Sequence, residues 1–155
     1  MELFIYKPDL EDLWFRQTML EDEETMSYNK AWGGAIPFPK EEWSEWYNHW
    51  VINCESKRYY RYLKREDGTF VGEIAYHYDP YYQGYMADII IYAKYRHSGY
   101  GLLGLQMLCD EAKKQGISDL YDDIAIDNTG IYLFKKMGFI EQYRTKEIIL
   151  LKKHL

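Results

Sequence analysis

The feature that most restricts the fold lies at residues 85–105, where an apolar segment runs into a glycine-rich turn and then a helical pattern. The apolar segment reads YMADIIIY, and the turn and helix start read YRHSGYGLLG. Beyond the turn, Leu105, Leu108, Cys109 and Ala112 share one face of the predicted helix. Such a turn presents free backbone N–H groups at the positive end of a helix dipole, which predicts a phosphate-binding site.

Gly99, Gly101 and Gly104 have the spacing G-x-G-x-x-G of dinucleotide-binding folds, and Asp122 and Asp123 follow where such folds keep a ribose-binding acid. The surrounding sequence argues against that interpretation. Antiparallel strands precede the glycines, and too little chain follows them for more parallel strands and crossovers. A dinucleotide oxidoreductase is therefore disfavoured.

Three antiparallel strands are predicted before the glycine turn, because period-two patterns flank an Asp67-Gly68 turn and an Asp79-Pro80 turn. Their ranges are 58–66, 69–79 and 85–92. The predicted order of the whole chain is βα, α, βββ, α, β, α, ββ. The other elements are a strand at 2–8, a helix after Asp9, a helix from Pro39 to Trp50, a strand at 118–126, a helix at 128–137 and a closing strand pair from 139.

Composition restricts the class of protein and its partners. A chain of 155 residues is long enough for one domain, which we take as 1–155. The net charge of -6 disfavours nucleic acid and anionic membranes and favours a cationic small partner. No segment is apolar enough to span a bilayer or to serve as a signal peptide, so a cytoplasmic location is expected. Cys54 and Cys109 have neither disulfide nor zinc spacing, and no metal site is expected.

Two motifs resemble the GCN5-related N-acetyltransferase (GNAT) superfamily. One is the pyrophosphate motif Arg96-His97-Ser98-Gly99-Tyr100-Gly101, and the other is the Asn-started helix from Asn128 to Phe134 that is followed by Gly138-Phe139. The order of elements matches from the first strand to the last. The resemblance implies a single α/β (α+β) domain with a central, mostly antiparallel twisted sheet, a splayed parallel strand pair and flanking helices.

The resemblance also implies acetyl-CoA as co-substrate and the residues that bind it. The strand before the glycine loop would hold the pantetheine arm through its backbone, the loop amides would hold the pyrophosphate, and the later helix would flank the thioester. The corresponding residues are Ile91, Tyr92, Ala93, Arg96, His97, Ser98, Gly99, Tyr100, Gly101, Leu102, Asn128 and Phe134.

The implied reaction is direct attack of a neutral amine on the thioester, with backbone N–H groups near Ile91 and Tyr92 stabilising the oxyanion. Where the family often has a tyrosine acid, this chain has Phe134, so solvent or Tyr132 would protonate the thiolate. Because successive side chains of a strand point to opposite faces, Asp88 is expected on the face opposite to Ile91.

Glu73, with His77 on the same face of the adjacent strand, is therefore the candidate base and substrate contact. An ordinary surface carboxylate is the alternative for Glu73.

The resemblance places the acceptor beside the loop between the first two helices and the later hairpins. This indicates Tyr28, Trp32 and Phe38, together with the tyrosine-rich turn 76–85. Aromatic walls with Glu73 nearby suit a protonated amine, and a small-molecule primary amine is the first choice. A peptide amine is the second, and a non-catalytic acyl-CoA-binding domain is the alternative from another class. A homodimer remains open.

Overall fold

The computed structural model describes residues 2–155 and contains a seven-stranded sheet with helices on both faces. The strand order is β1-β2-β3-β4-β5-β7-β6, and every neighbouring pair is antiparallel except β4 and β5. The strands are β1 Leu3–Tyr6, β2 Arg58–Arg65, β3 Phe70–Asp79, β4 Gly84–Ile91, β5 Asp119–Ala125, β6 Ile140–Arg144 and β7 Ile148–His154. The fold class expected from the motifs is confirmed.

The α-helices are α1 Leu13–Glu21, α2 Trp43–Tyr47, α3 Tyr100–Lys114 and α4 Ile131–Lys136. The predicted second helix is divided into a 3-10 turn at Lys40–Glu42, α2, and a π-helical turn at Asn48–Ile52. The loop expected between the first two helices is partly ordered as a 3-10 helix, Thr25–Trp32. We call this 3-10 helix the acceptor segment. No helix within residues 2–155 has the length and apolarity needed to cross a membrane.

The sheet separates two hydrophobic cores. One contains the buried face of α3 and Phe134 of α4, packed on Ile74 and Ile91. The other lies under α1 and α2 and contains Tyr60 and Ile90. Because alternate residues of a strand face opposite sides, β4 contributes Ile91 to the first core and Ile90 to the second.

The parallel strands β4 and β5 separate soon after they meet. They are paired only at Tyr85–Leu120 and Met86–Tyr121. Residues 87–91 of β4 therefore keep β3 as a partner on one side and face a gap on the other. The expected splayed pair is present, and the gap opens directly beside the first turn of α3.

The third glycine of the G-x-G-x-x-G pattern has a packing role. A Cβ atom at Gly104 would lie 2.6 Å from Leu63 Cδ1 and 3.2 Å from Ile89 Cδ1. Only glycine lets α3 approach the sheet this closely. The resemblance to a dinucleotide motif thus has a purely steric explanation at this position.

Candidate active site

A cavity of about 860 Å³ occupies the gap between β4 and β5. Its walls come from the acceptor segment, the two splayed strands, the first turn of α3 and the start of α4. This is a volume typical of small-molecule sites. Among the residues expected to bind ligand, the cavity is lined by Tyr28, Trp32, Ile91, Arg96, His97, Gly99, Tyr100, Gly101, Asn128 and Phe134.

The first turn of α3 offers unpaired backbone donors to this cavity. Gly99 caps the helix with φ +82° and His97 also has a positive φ of 65°, so the chain turns sharply into the helix. The first backbone bond within the helix is donated by Leu103 to the Gly99 carbonyl, at 3.2 Å. The amides of Tyr100, Gly101 and Leu102 precede it and have no helical acceptor. Their position suits a diphosphate.

Ser98 and Leu102 belong to this turn but do not line the cavity. Gly99 has no atom within 4 Å of the position that a Cβ would take, so its surroundings are open to a ligand.

The open edge of β4 supplies a second set of donors and acceptors. The Tyr92 N–H donates to the Val71 carbonyl of β3, at 2.9 Å. Because successive backbone groups of a strand point to opposite sides, those of Ile89 and Ile91 point into the gap. Ile91 can thus bind an acyl-CoA arm and its N–H can stabilise an oxyanion, whereas the expectation of an oxyanion donor at Tyr92 is wrong.

Two other expected co-substrate contacts are used within the protein. The Ala93 N–H donates to the Thr25 hydroxyl at 3.0 Å. The Arg96 guanidinium donates to the carbonyls of Glu24 at 3.1 Å and Thr25 at 2.6 Å. Both residues hold the start of the acceptor segment against the glycine turn. This geometry does not favour a direct ion pair between Arg96 and a phosphate.

The start of α4 forms the far wall. The Asn128 side chain accepts a hydrogen bond from the Gly130 N–H at 2.8 Å, and Asn128 lines the cavity. Phe134 is buried at 5% exposure and packs on Phe139 with ring centroids 5.0 Å apart. Tyr132 is 72% exposed and lies outside the lining, so the expectation that it could replace the missing acid is wrong.

A family model described as "Acetyltransferase (GNAT) domain" matches residues 3–140. The chain belongs to the GNAT acetyltransferase family. Acetyl-CoA is the co-substrate of this N-acetyltransferase family, and the free amides of α3 and the open edge of β4 fit its diphosphate and its pantetheine arm. Among curated proteins, no sequence matches the chain significantly.

Solved structures of similar fold include GNAT enzymes from several bacteria. The spermidine N-acetyltransferase of Vibrio cholerae, in complex with CoA and spermine, has a TM-score of 0.83 at 17% identity, covering 98% of this chain and 95% of that one. An N-acetyltransferase from Staphylococcus aureus Mu50 has a TM-score of 0.78 at 20% identity, covering 99% of both chains. A GNAT-family acetyltransferase from Bacillus anthracis has a TM-score of 0.77 at 18% identity, covering 99% and 95%.

Glu73 of this GNAT domain is neutralised by an internal cation. Its carboxylate accepts two hydrogen bonds from Arg16 Nη1, at 2.6 and 2.8 Å, and one from the Tyr60 hydroxyl at 2.7 Å. The Arg16 guanidinium also lies 4.3 Å from the ring centroid of Trp46. Burial lowers the pKa of Arg16, but the charge of Glu73 and the hydrogen bonds to Tyr60 and Glu73 together outweigh burial and raise this pKa above its ordinary value. The cation that we expected a substrate to bring to Glu73 is thus Arg16.

Glu73 is only 4% exposed and lines the smaller cavity described below rather than the main one. Its carboxylate is already hydrogen-bonded to Arg16 and Tyr60, an arrangement that does not favour the expected role as base. His77 shares its strand face, as expected, but lines neither the main cavity nor the smaller one described below. The physical reason is the long-range pairing of Glu73 with α1, which sequence periodicity does not reveal.

We expect Glu73→Gln to lower stability rather than to remove a base. The change leaves the Arg16 charge without its counter-ion in a mostly buried setting, at a cost of about 3 kcal/mol. The Glu141–Arg144 pair has the same 2.6 Å separation but lies on the surface, so Glu141→Gln is a matched control that we expect to cost less than about 1 kcal/mol. Urea unfolding of both variants measures the difference, and equal losses would contradict this role.

Asp88 is a carboxylate that lines both the main cavity and the smaller one. The pairing of β3 and β4 runs without a bulge from Gly84 to Ile91, so Asp88 lies on the same face as Ile90. The expectation that Asp88 points away from the face of Ile91 is confirmed, and the cavity extends to the face on which Asp88 lies, under the acceptor segment. His77 Nδ1 lies 3.6 Å from Asp88 Oδ2, and this interaction raises the pKa of His77.

Asp122 and Asp123 face Asp88 from β5 across the cavity. Burial, and then the charges of Asp88 and Asp123, raise the pKa of Asp122 well above its ordinary value. Burial also raises the pKa of Asp123, which accepts a hydrogen bond from the Tyr82 hydroxyl at 3.2 Å. Within residues 2–155 no group of three or more His, Cys, Asp or Glu side chains could hold a metal ion. Asp88, Asp122 and Asp123 line one side of the cavity, which we call the acidic wall.

We expect Asp122→Asn to stabilise the protein at neutral pH. A carboxyl whose pKa is raised by folding binds its proton more tightly in the folded state, so stability falls as pH rises from the unfolded pKa through the folded one. The asparagine variant does not lose this stability, and its melting temperature should exceed that of the wild type by about 3 °C. Melting curves from pH 4 to pH 8 should show a gap that widens with pH. An asparagine variant that is less stable than the wild type at every pH would contradict this prediction.

The expected aromatic contacts are only partly brought to the cavity. Tyr28 and Trp32 line it, and Trp32 is 52% exposed. Phe38 instead packs in the core against Trp43 and Trp46, because its backbone N–H is held by Glu21 at 3.0 Å. Of the tyrosine-rich turn, only Tyr82 approaches the site, through Asp123.

Cys109 is buried on α3, and burial raises the pKa of its thiol to about 11. A thiol in this state is a poor nucleophile. This agrees with acetyl transfer that passes through no covalent enzyme intermediate.

Proposed function

We propose that this GNAT domain transfers an acetyl group from acetyl-CoA directly to the primary amine of a small molecule. The observation that carries the proposal is the continuity of one cavity from the free amides of α3, past the open edge of β4, to the acidic wall at Asp88, Asp122 and Asp123. The first two features suit the acyl donor, and the third suits an ammonium ion. The spermidine N-acetyltransferase of similar fold, named above for its complex with CoA and spermine, supports an amine acceptor.

Asp88 is the proposed proton acceptor. The amine reaches the cavity as an ammonium ion and must lose a proton before its lone pair attacks the thioester carbon. The Asp88 carboxylate takes this proton, and the Ile91 N–H donates a hydrogen bond to the oxygen that becomes negative. The C–N bond then forms, the nitrogen loses its second proton to water, and the C–S bond breaks. Phe134 has no proton to give, so water protonates the thiolate.

Proton transfer to Asp88 agrees with its surroundings. Its side chain is 55% exposed and beside His77, so a proton taken from the amine can pass on to solvent or to the imidazole. Glu73, the earlier candidate, has no such exit, because Arg16 and Tyr60 surround it.

The test is acceptor-dependent release of CoA thiol from acetyl-CoA, with mass spectrometry of the product amine. We expect release with small primary amines and much less with peptides that carry a free N-terminus or lysine. CoA binding without acceptor-dependent release from any amine would instead support a non-catalytic acyl-CoA-binding domain. Preference for the peptides would replace the small-molecule acceptor by a protein one.

A further inference from the structure

A second, smaller cavity adjoins the main one on the side of α1 and α2. It has a volume of about 180 Å³. Tyr28, Asp88 and Ile90 line both cavities, so a ligand whose amine lies at Asp88 can extend into the smaller one. We call this smaller cavity the aromatic pocket, because Trp46, Trp50 and Tyr60 contribute to its wall.

The charges inside the aromatic pocket are already paired with each other. Glu73 accepts both hydrogen bonds of Arg16 Nη1 and the hydroxyl of Tyr60. Arg16 in turn covers the Trp46 ring at 4.3 Å and lies 5.3 Å from the Tyr60 ring centroid. An ammonium group in this pocket would approach a guanidinium whose counter-ion and aromatic faces are in use. The pocket is therefore unsuited to a second cation.

The rest of the lining is apolar. Leu20, Met26, Ile36 and Ala75 complete the wall around the rings. Apolar surfaces of this kind bind uncharged groups by removing them from water. A cavity of about 150 Å³ with apolar walls accommodates a benzene molecule, so the aromatic pocket is large enough for one ring.

From these contacts we infer that the aromatic pocket binds an uncharged, apolar substituent of the acceptor, one aromatic ring or its equivalent, while the amine lies at Asp88. The inference rests on the proposed function. The expected acceptor is therefore a primary amine with one cationic nitrogen and an aryl or alkyl tail. Polyamines, which carry a second ammonium, are disfavoured by the Arg16–Glu73 pair.

The first measurement compares three amines at saturating acetyl-CoA. These are 2-phenylethylamine, 1,4-diaminobutane and ethylamine, which differ in whether the tail is aromatic, cationic or absent. We expect kcat/KM for 2-phenylethylamine to exceed that for 1,4-diaminobutane by at least about tenfold, since one ring-sized group in an apolar pocket has an effect of this order. A preference for the diamine would overturn the inference.

The second measurement changes the pocket without changing the proposed catalytic groups. Ile36 lies in an exposed loop at 43% exposure, so Ile36→Asp adds a carboxylate to the wall at little risk to folding. We expect the ratio of kcat/KM for 2-phenylethylamine to kcat/KM for 1,4-diaminobutane to fall at least about tenfold, while kcat/KM for ethylamine stays unchanged. Ile52→Asp is the control, because Ile52 is 57% exposed and lines neither cavity.

The outcomes separate this inference from the proposed function. If ethylamine is acetylated but the diamine is preferred to 2-phenylethylamine, the inference alone is overturned. The same holds if ethylamine is acetylated but Ile36→Asp does not change the ratio of the two kcat/KM values. Failure to acetylate any of the three amines overturns both. Calorimetric titration of 2-phenylethylamine into the CoA-saturated protein provides a readout besides turnover, and Ile36→Asp should weaken that binding while Ile52→Asp leaves it unchanged.

Discussion

Replacing Gly99 by glutamate is expected to lower the affinity for CoA at least about a hundredfold, which corresponds to about 2.7 kcal/mol. The side chain would enter the open space in front of the free amides of Tyr100, Gly101 and Leu102. There its charge would compete with the diphosphate for the same donors and repel it. Calorimetric titration with CoA measures the loss.

Gly116→Glu is the control for this change. Gly116 has φ +84° and no atom within 4 Å of its Cβ position, so the backbone strain and the steric freedom are closely matched to Gly99. It follows the opposite end of α3. Both variants should melt at lower temperature than the wild type, but only Gly99→Glu should lose CoA. Equal loss of CoA affinity in both would place the diphosphate elsewhere.

Replacing Asp88 by asparagine should reduce kcat for amine acetylation roughly a hundredfold, while the affinity for CoA stays the same. The amide has nearly the shape of the carboxylate but cannot take the proton of the ammonium ion. The amine must then lose its proton to solvent, so turnover of the variant should rise more steeply with pH than turnover of the wild type. Steady-state kinetics from pH 6 to pH 9 measure both effects.

Asp123→Asn is the matched control for Asp88→Asn. Asp123 lines the same cavity, but Tyr82 holds its carboxylate. Loss of this charge should weaken attraction of the amine, raising KM a few-fold with little change in kcat. If the two variants lose kcat equally, the acidic wall acts as a whole and Asp88 has no separate role as proton acceptor.

The conformation of the glycine turn was predictable from sequence because it depends on neighbouring residues. A strand, a residue with positive φ and an amphipathic helix follow one another between residues 85 and 114. Such a segment forms the same helix start in any fold that contains it, and its amides are free by the geometry of the helix itself. The element order also followed from local patterns, although the second helix is divided and its ends were not predicted.

The acceptor end could not be predicted in this way. The position of Glu73 on its predicted strand suggested a base. In the structure its carboxylate is paired with Arg16, which lies 57 positions earlier in the sequence. Arg96 has the position of a phosphate ligand, yet its guanidinium binds the carbonyls of residues 24 and 25. The only sequence signal for these contacts is an arginine on the predicted first helix, and periodicity does not tell which carboxylate it meets.

The sequence alone therefore determined the glycine turn, the order of strands and helices, and a surplus of acidic residues suited to a cationic partner. The tertiary structure decided which carboxylates remain available, with Glu73 paired to Arg16 and Asp88 brought to the junction of two cavities. The physical reason is that backbone donors are determined by local conformation. The availability of a charge depends on which distant side chain folding places beside it.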